Sequence, residues 1–161
     1  DEAFFARAKE MAKAYGKKLY LPSGAIGGLD LVQNVLATKT VDEVTLTTRK
    51  PAHTLTDERL EEATLVFDDC AKAAIEKYPR NMNVSIALSL AGIGFEQTRV
   101  QLIADPKLDK NIHQIKIHGA FGEATFTIAN HALPSKPNSS YLASISIIGT
   151  LSRINDRVKI S

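Results

Sequence analysis

From Ala3 to Tyr15 the apolar residues Phe4, Ala8, Met11 and Tyr15 recur every three or four positions among lysines and arginines, and Gly16 follows. That spacing predicts a helix with a glycine stop. Lys18 to Leu21 is a short apolar run closed by Pro22, which reads as a strand, and Leu29, Val32 and Leu36 return to helical spacing over Leu29 to Ala37. Between them lies Ser23-Gly24-Ala25-Ile26-Gly27-Gly28. A glycine-rich segment joining a strand to a helix serves either as a binding turn, with free amides at the helix start, or as a plain connection. It lacks the G-x-G-x-x-G spacing of a dinucleotide-binding turn.

The period then changes. Val44, Leu46 and Thr48 alternate with Glu43, Thr45, Thr47 and Arg49, so Val41 to Arg49 is expected to be a half-buried strand. Pro51 to Glu62 mixes turn residues with Asp57, Glu58, Glu61 and Glu62, as in a solvated loop or short surface helix rather than a metal or catalytic site. Thr64 to Phe67 is another short apolar run. Ala71 to Tyr78 and Asn81 to Ala91 have helical character and meet at Pro79, with Asn81 as the expected cap of the second. Val100 to Ala104 predicts a strand. Asn111 to Gly119 and Gly122 to Asn130 alternate on either side of a tight connection, which predicts a hairpin. His131 to Asn138 reads as a loop. Ser139 or Ser140 caps a last helix whose Tyr141, Leu142, Ile145, Ile147, Ile148 and Leu151 cover most of its circumference, as in a helix buried between neighbours.

With 161 residues, 44% of them hydrophobic and 24% charged, the composition is that of a globular chain able to bury a core. A formal charge of +2 without like-charged runs gives no footing to nucleic acid or an anionic membrane as partner. The single cysteine, Cys70, makes no internal disulfide, which suits a cytoplasmic address. No apolar stretch is long enough to span a bilayer. The chain starts at Asp1 inside a helical pattern, and a helix feeding a strand is half of a parallel-sheet repeat, so a fragment of a longer protein is expected.

Candidate chemistry is sparse. Of His53, His113, His118 and His131, only His113 shares a strand face with apolar residues, Ile115 and Ile117. It is either a satisfied core histidine or a general acid or base tuned by partial burial. The spacing offers no metal site. Asn83, in the first turn of its helix, has an amide able to present both donor and acceptor. Thr47-Thr48-Arg49-Lys50-Pro51 is either an anion clamp or a polar strand end.

The blocks Ser23-Gly24-Ala25-Ile26-Gly27-Gly28-Leu29-Asp30, Val44-Thr45-Leu46-Thr47-Thr48-Arg49-Lys50-Pro51, Asn81-Met82-Asn83-Val84, Leu88-Ser89-Leu90-Ala91-Gly92 and Asn111-Ile112-His113-Gln114-Ile115 resemble, in order, the L-aspartate dehydrogenase family. The resemblance runs nearly end to end. It implies a mixed α/β fold with a largely antiparallel sheet and helices on one face, the catalytic domain of a two-domain Rossmann-type dehydrogenase. Residues 1–22 would be the tail of the nucleotide-binding domain, 23–138 the catalytic and dimerisation domain, and 139–161 a terminal helix and tail.

The implied reaction is oxidation of L-aspartate by NAD or NADP to iminosuccinate, which hydrolyses to oxaloacetate and ammonia or feeds pyridine nucleotide synthesis. His113 falls on the family's catalytic histidine, and Ala25 and Asn83 fall on its cofactor contacts. Arg49, Lys50 and Lys136 are the cations available to the substrate carboxylates, and a homodimer through the open sheet face is expected. Cys70, and Lys136-Pro137-Asn138-Ser139-Ser140, depart from the family pattern. Rival readings are a related imine or amino-acid reductase and a non-catalytic dimerisation module of the same fold. Without the G-x-G-x-x-G turn, the chain alone is expected neither to bind NAD usefully nor to turn over aspartate.

Overall fold

The computed structural model describes residues 2–79 and 81–158, without the side chains of residues 2 and 136–138. Its centre is β1 (Val41–Pro51), flanked by parallel β3 (Arg99–Asp105) and antiparallel β4 (Asn111–Gly119). β2 (Thr64–Cys70) extends the sheet beyond β3, and β5 (Gly122–Asn130) extends it beyond β4. The order β2-β3-β1-β4-β5 is a mixed, mostly antiparallel sheet, as the sequence leads one to expect.

Three helices cover one face: α2 (Leu29–Ala37), α3 (Ala71–Lys77) and α4 (Asn83–Ala91). The alternation along the strands explains the choice of face. Val44, Leu46, Val100, Leu102, Ile115 and Ile117 all point towards the helices and are at most 1% exposed, meeting Val32, Ala74 and Leu88 in one core. The opposite face is polar, with Thr47 Oγ1 donating to Gln101 Oε1 and Arg99 forked onto Asp68. Two helices flank this body: α1 (Glu2–Ala14) and α5 (Tyr141–Asn155).

Several expectations need correction. Lys18 to Leu21 is not a strand, and Leu19, Tyr20 and Leu21 are about half exposed. Among the described residues no strand runs beside it, and an extended run without a hydrogen-bonding neighbour is not a sheet element. The helix expected from Asn81 begins at Asn83 with Met82 at the cap position, because Met82 is drawn into the core at 2% exposure. The stretch read as a loop over 131–138 instead carries a two-stranded ribbon, β6 (Ala132–Leu133) and β7 (Lys136–Ser140). The run from Thr64 continues as strand to Cys70, and β1 continues to Pro51, a tolerated residue at a strand end.

The last helix is not enclosed either. Tyr141, Ile145, Ile147, Ile148 and Leu151 are 44–69% exposed, and Ser146 is the buried residue of α5. The helix rests on the domain along the side of Ala143 and Ser146, and Tyr141, Ile145, Ile148 and Leu151 are turned largely to the outside.

At the start of α2, Gly28 has φ 76, and a Cβ there would lie 2.8 Å from the Phe126 ring on β5. Only glycine meets both the left-handed backbone and the close approach. Gly28→Ala should therefore cost about 1–2 kcal/mol from backbone conformation alone, and more with the contact. Gly27→Ala, where a Cβ meets nothing within 4 Å, should be neutral or slightly stabilising. Equal urea midpoints for the two variants would contradict this account.

Candidate active site

The site grows from the end of β1. Thr48 and Lys50 are two residues apart and so share the helix-side face, and the antiparallel register sets Thr48 directly opposite His113 on β4. Thr48 Oγ1 lies 3.0 Å from His113 Nδ1. His113 is 4% exposed. Burial, and next the positive charge of Lys50, bring its proton affinity down to a pKa of about 4. The imidazole is therefore neutral near neutral pH. In the tautomer that carries its hydrogen on Nδ1 and donates it to Thr48, Nε2 keeps its lone pair for a proton.

Lys50 is 8% exposed, and its Nζ donates to Asn81 Oδ1 at 2.8 Å. Burial lowers its proton affinity. The turn that holds Asn81 leads into α4, anchored by buried Met82, whose carbonyl accepts the Ser85 hydroxyl at 2.8 Å. Asn83 follows at the first position of the helix, and no hydrogen bond among the described residues engages its side chain.

The glycine-rich turn forms the facing wall. Gly24 takes φ 69 and donates its N–H to Ser146 Oγ on α5 at 3.1 Å. The Ala25 carbonyl accepts from Asn130 Nδ2 at 2.9 Å, while Asn130 Oδ1 accepts from Ser140 Oγ at 2.9 Å. Asn130, 4% exposed, thus ties the turn, the end of β5 and the start of α5 together. Ser140, at the cap position of α5, spends its hydroxyl there rather than on the helix.

These walls enclose a cavity of about 340 Å³, lined among others by Gly24, Ala25, Lys50, Asn81, Asn83 and His113. Its size is that of a small-molecule site. Ala25, Asn83 and His113, singled out from the sequence, all reach it. The expected clamp at Thr47 to Pro51 divides by face: Lys50 lines the cavity and Thr48 bonds to His113 behind it, whereas Arg49 Nη2 donates to Asp105 Oδ2 at 2.6 Å on the far side. The Lys136 side chain lies outside the described residues. His53, His118 and His131 are exposed, and the acidic cluster from Asp57 to Glu62 is solvated. Among the described residues no three His, Cys, Asp or Glu side chains group as metal ligands, and no helix is long and apolar enough to cross a membrane.

Asn130, Ser146 and the pairing of Lys50 with Asn81 had no place in the sequence reading. A strand-ending asparagine resembles any turn residue. Ser146 did carry a signal, being a hydroxyl among Ile145, Ile147 and Ile148 on an otherwise apolar helix.

A mixed α/β domain that brings a buried histidine and a buried lysine to one cavity has the layout of a small-molecule site. Residues 30–154 match the family model described as aspartate dehydrogenase, C-terminal, and the chain belongs to that family. It is 42% identical over 161 residues to an L-aspartate dehydrogenase of Methanosarcina mazei, covering 93% of this chain and 59% of the relative. It is 40% identical over 171 residues to that of Methanosarcina barkeri, covering 99% and 63%. The crystal structure of aspartate dehydrogenase from Thermotoga maritima superposes with a TM-score of 0.82 at 34% identity, over 100% of this chain and 63% of that one. The chain thus spans about three-fifths of the length of these proteins.

The depressed proton affinity of His113 has a consequence for folding. An unfolded histidine takes up its proton near its ordinary value of 6.5, but the folded His113 only near 4, so between these values the unfolded state binds more protons. Stability is then lost as pH falls from 6.5 to about 4, by roughly 3 kcal/mol from this residue. His113→Gln should flatten the dependence of the urea midpoint on pH over that window. An unaltered slope in His113→Gln would show that the folded imidazole protonates normally.

Proposed function

We propose that this domain supplies the substrate and proton-transfer residues of an L-aspartate dehydrogenase that works with NAD or NADP. The observation that carries the reading is the meeting of His113, Asn83 and Ala25 on one cavity in a chain similar to proteins of that name. The residues suit a nicotinamide cofactor. Asn83 offers an uncommitted amide, with donor and acceptor matched to a carboxamide. Ala25 places a small side chain on the opposite wall, beside Gly24, where a Cβ would meet nothing within 4 Å. When bound, the cofactor accepts the hydride, the hydrogen of the aspartate Cα with its electron pair.

In this reading His113 does the proton work. Nε2 takes a proton from the substrate amine as the Cα hydride departs, giving iminosuccinate, and Thr48 orients the ring through its hydrogen bond with Nδ1. Water then converts the imine to oxaloacetate and ammonia, unless it is first used in pyridine nucleotide synthesis. The reading extends to the domain plan, with residues 1–22 as the tail of a nucleotide-binding domain, 23–138 as the catalytic domain and 139–161 as its terminal helix and tail. The exposure of Phe4 and Met11 on α1 and of Tyr15 just beyond it, between 51% and 73%, supports a neighbour for that helix. It extends equally to a homodimer across the polar open face of the sheet and to a cytoplasmic address.

The test uses the full-length protein. L-Aspartate should drive NAD(P)H formation, and His113→Ala should lower kcat/KM by about 10²–10⁴-fold with the far-ultraviolet circular dichroism spectrum retained. An active wild type with an equally active His113→Ala variant would remove the histidine from the mechanism. This chain by itself should show no saturable binding of NADH at micromolar concentrations, since it holds no G-x-G-x-x-G turn to cradle the pyrophosphate. In sedimentation, the full-length protein should run as a dimer, and Thr47→Arg with Thr127→Arg should run as a monomer.

A further inference from the structure

We propose that Lys50 is the cation that receives a carboxylate of the substrate, with Asn81 as the residue that positions it. The inference rests on the aspartate reading for the identity of the ligand, but its physical basis lies in the cavity itself. Lys50 is more than nine-tenths buried, it lines the cavity, and among the described residues no Asp or Glu pairs with it. The nearest cation along β1 behaves oppositely: Arg49 has Asp105 as its own carboxylate, buried at 8% side-chain exposure. An ammonium has three donors, and Asn81 Oδ1 accepts one. Among the described residues the remaining donors and the net charge have no carboxylate counterpart.

A buried charge without an opposite charge is costly, and the cost is removed only by neutralisation or by a ligand of opposite sign. The rest of the cavity points to the second outcome. The first turn of α4 opens onto it through Asn83 and Val84, and the unpaired amides of a helix start add positive potential at that wall. Asn81, Asn83, Asn111, Ser139 and Ser140 supply neutral polar groups without adding negative charge. Burial does lower the proton affinity of Lys50, but His113 beside it already provides a neutral base, leaving the lysine to act as the anion holder. A compact dicarboxylate meets this site as a matched ligand, and a monocarboxylate or neutral amino acid meets only part of it.

The experiment compares wild type, Lys50→Met, Lys50→Gln and Lys50→Arg in the full-length protein. Steady-state kinetics with aspartate are measured together with calorimetric titration of succinate in the presence of NADH, and NADH affinity is followed by fluorescence. Lys50→Met and Lys50→Gln should raise the KM for aspartate and the Kd for succinate by about 10²-fold, with NADH affinity within about twofold. Lys50→Arg should recover part of the loss. A fall in kcat with KM and succinate affinity unchanged would overturn the proposal and make Lys50 a proton-transfer group. If wild type binds succinate through Lys50 yet does not oxidise aspartate, the carboxylate site stands and the reaction assignment fails. If wild type oxidises aspartate and Lys50→Gln leaves KM unchanged, the assignment stands and this inference fails.

Discussion

The register between β1 and β4 is the constraint on which the site depends. Because Thr48 faces His113 and side chains alternate across a strand, Thr48, Lys50 and His113 must share the helix-covered face. A slip of one residue would turn Thr47 and Arg49 to the core, part Thr48 from His113 and take Lys50 away from Asn81. The register is held by the same alternation that builds the core: Leu46 opposite Ile115 and Val44 opposite Ile117 are all at most 1% exposed. The hydrophobic sheet face and the functional side chains are thus one pattern, the apolar positions running into polar ones as β1 reaches its carboxyl end.

Opposite this fixed wall stands one that is assembled from distant parts of the chain. Asn130 joins the Ala25 carbonyl to Ser140, over sequence separations of 105 and 10 residues, and Ser146 receives Gly24 over 122. Neither the turn nor α5 has a sheet ladder to hold it, so these side-chain bonds act together with the burial of Ala25 and Ile26 in the core and of Ala143 against it. A buried asparagine that satisfies one backbone carbonyl and one hydroxyl at once is costly to remove, since each partner would be left without its bond. Cavity shape on this side therefore depends on long-range polar bonds as well as apolar packing, whereas on the β1 side the strand register fixes it.

This difference explains what could be read from the sequence. The bounds of α2 and of the β4–β5 hairpin follow from local periodicity, because each buries one face against a continuous core. The glycine-rich turn, Asn83 and His113 stand out through residue type and the resemblance to a family. Lys18 to Leu21 misleads because an apolar run specifies burial rather than pairing, and no strand among the described residues accompanies it. The apolar circumference of α5 misleads in the same way: composition says what a helix can bury, but not what covers it. Asn130, Ser146 and the contact of Lys50 with Asn81 are invisible to periodicity because their partners lie far away in sequence.

The electrostatics of the site then pose a question that geometry helps to answer. A base works best when its proton affinity lies near the working pH, yet burial and the charge of Lys50 take His113 well below it. Burial is a lasting property of β4, but the effect of Lys50 lasts only while its charge is uncompensated. A carboxylate placed on Lys50 would cancel that part of the field, and the imidazole would become a stronger proton acceptor once substrate is seated. The ring would stay neutral and inert in the open cavity and gain basicity with its ligand, so that one lysine links recognition to proton transfer. The magnitude of the link is bounded by the Lys50 contribution, which is the smaller of the two causes, and Thr48 keeps the ring oriented in both states.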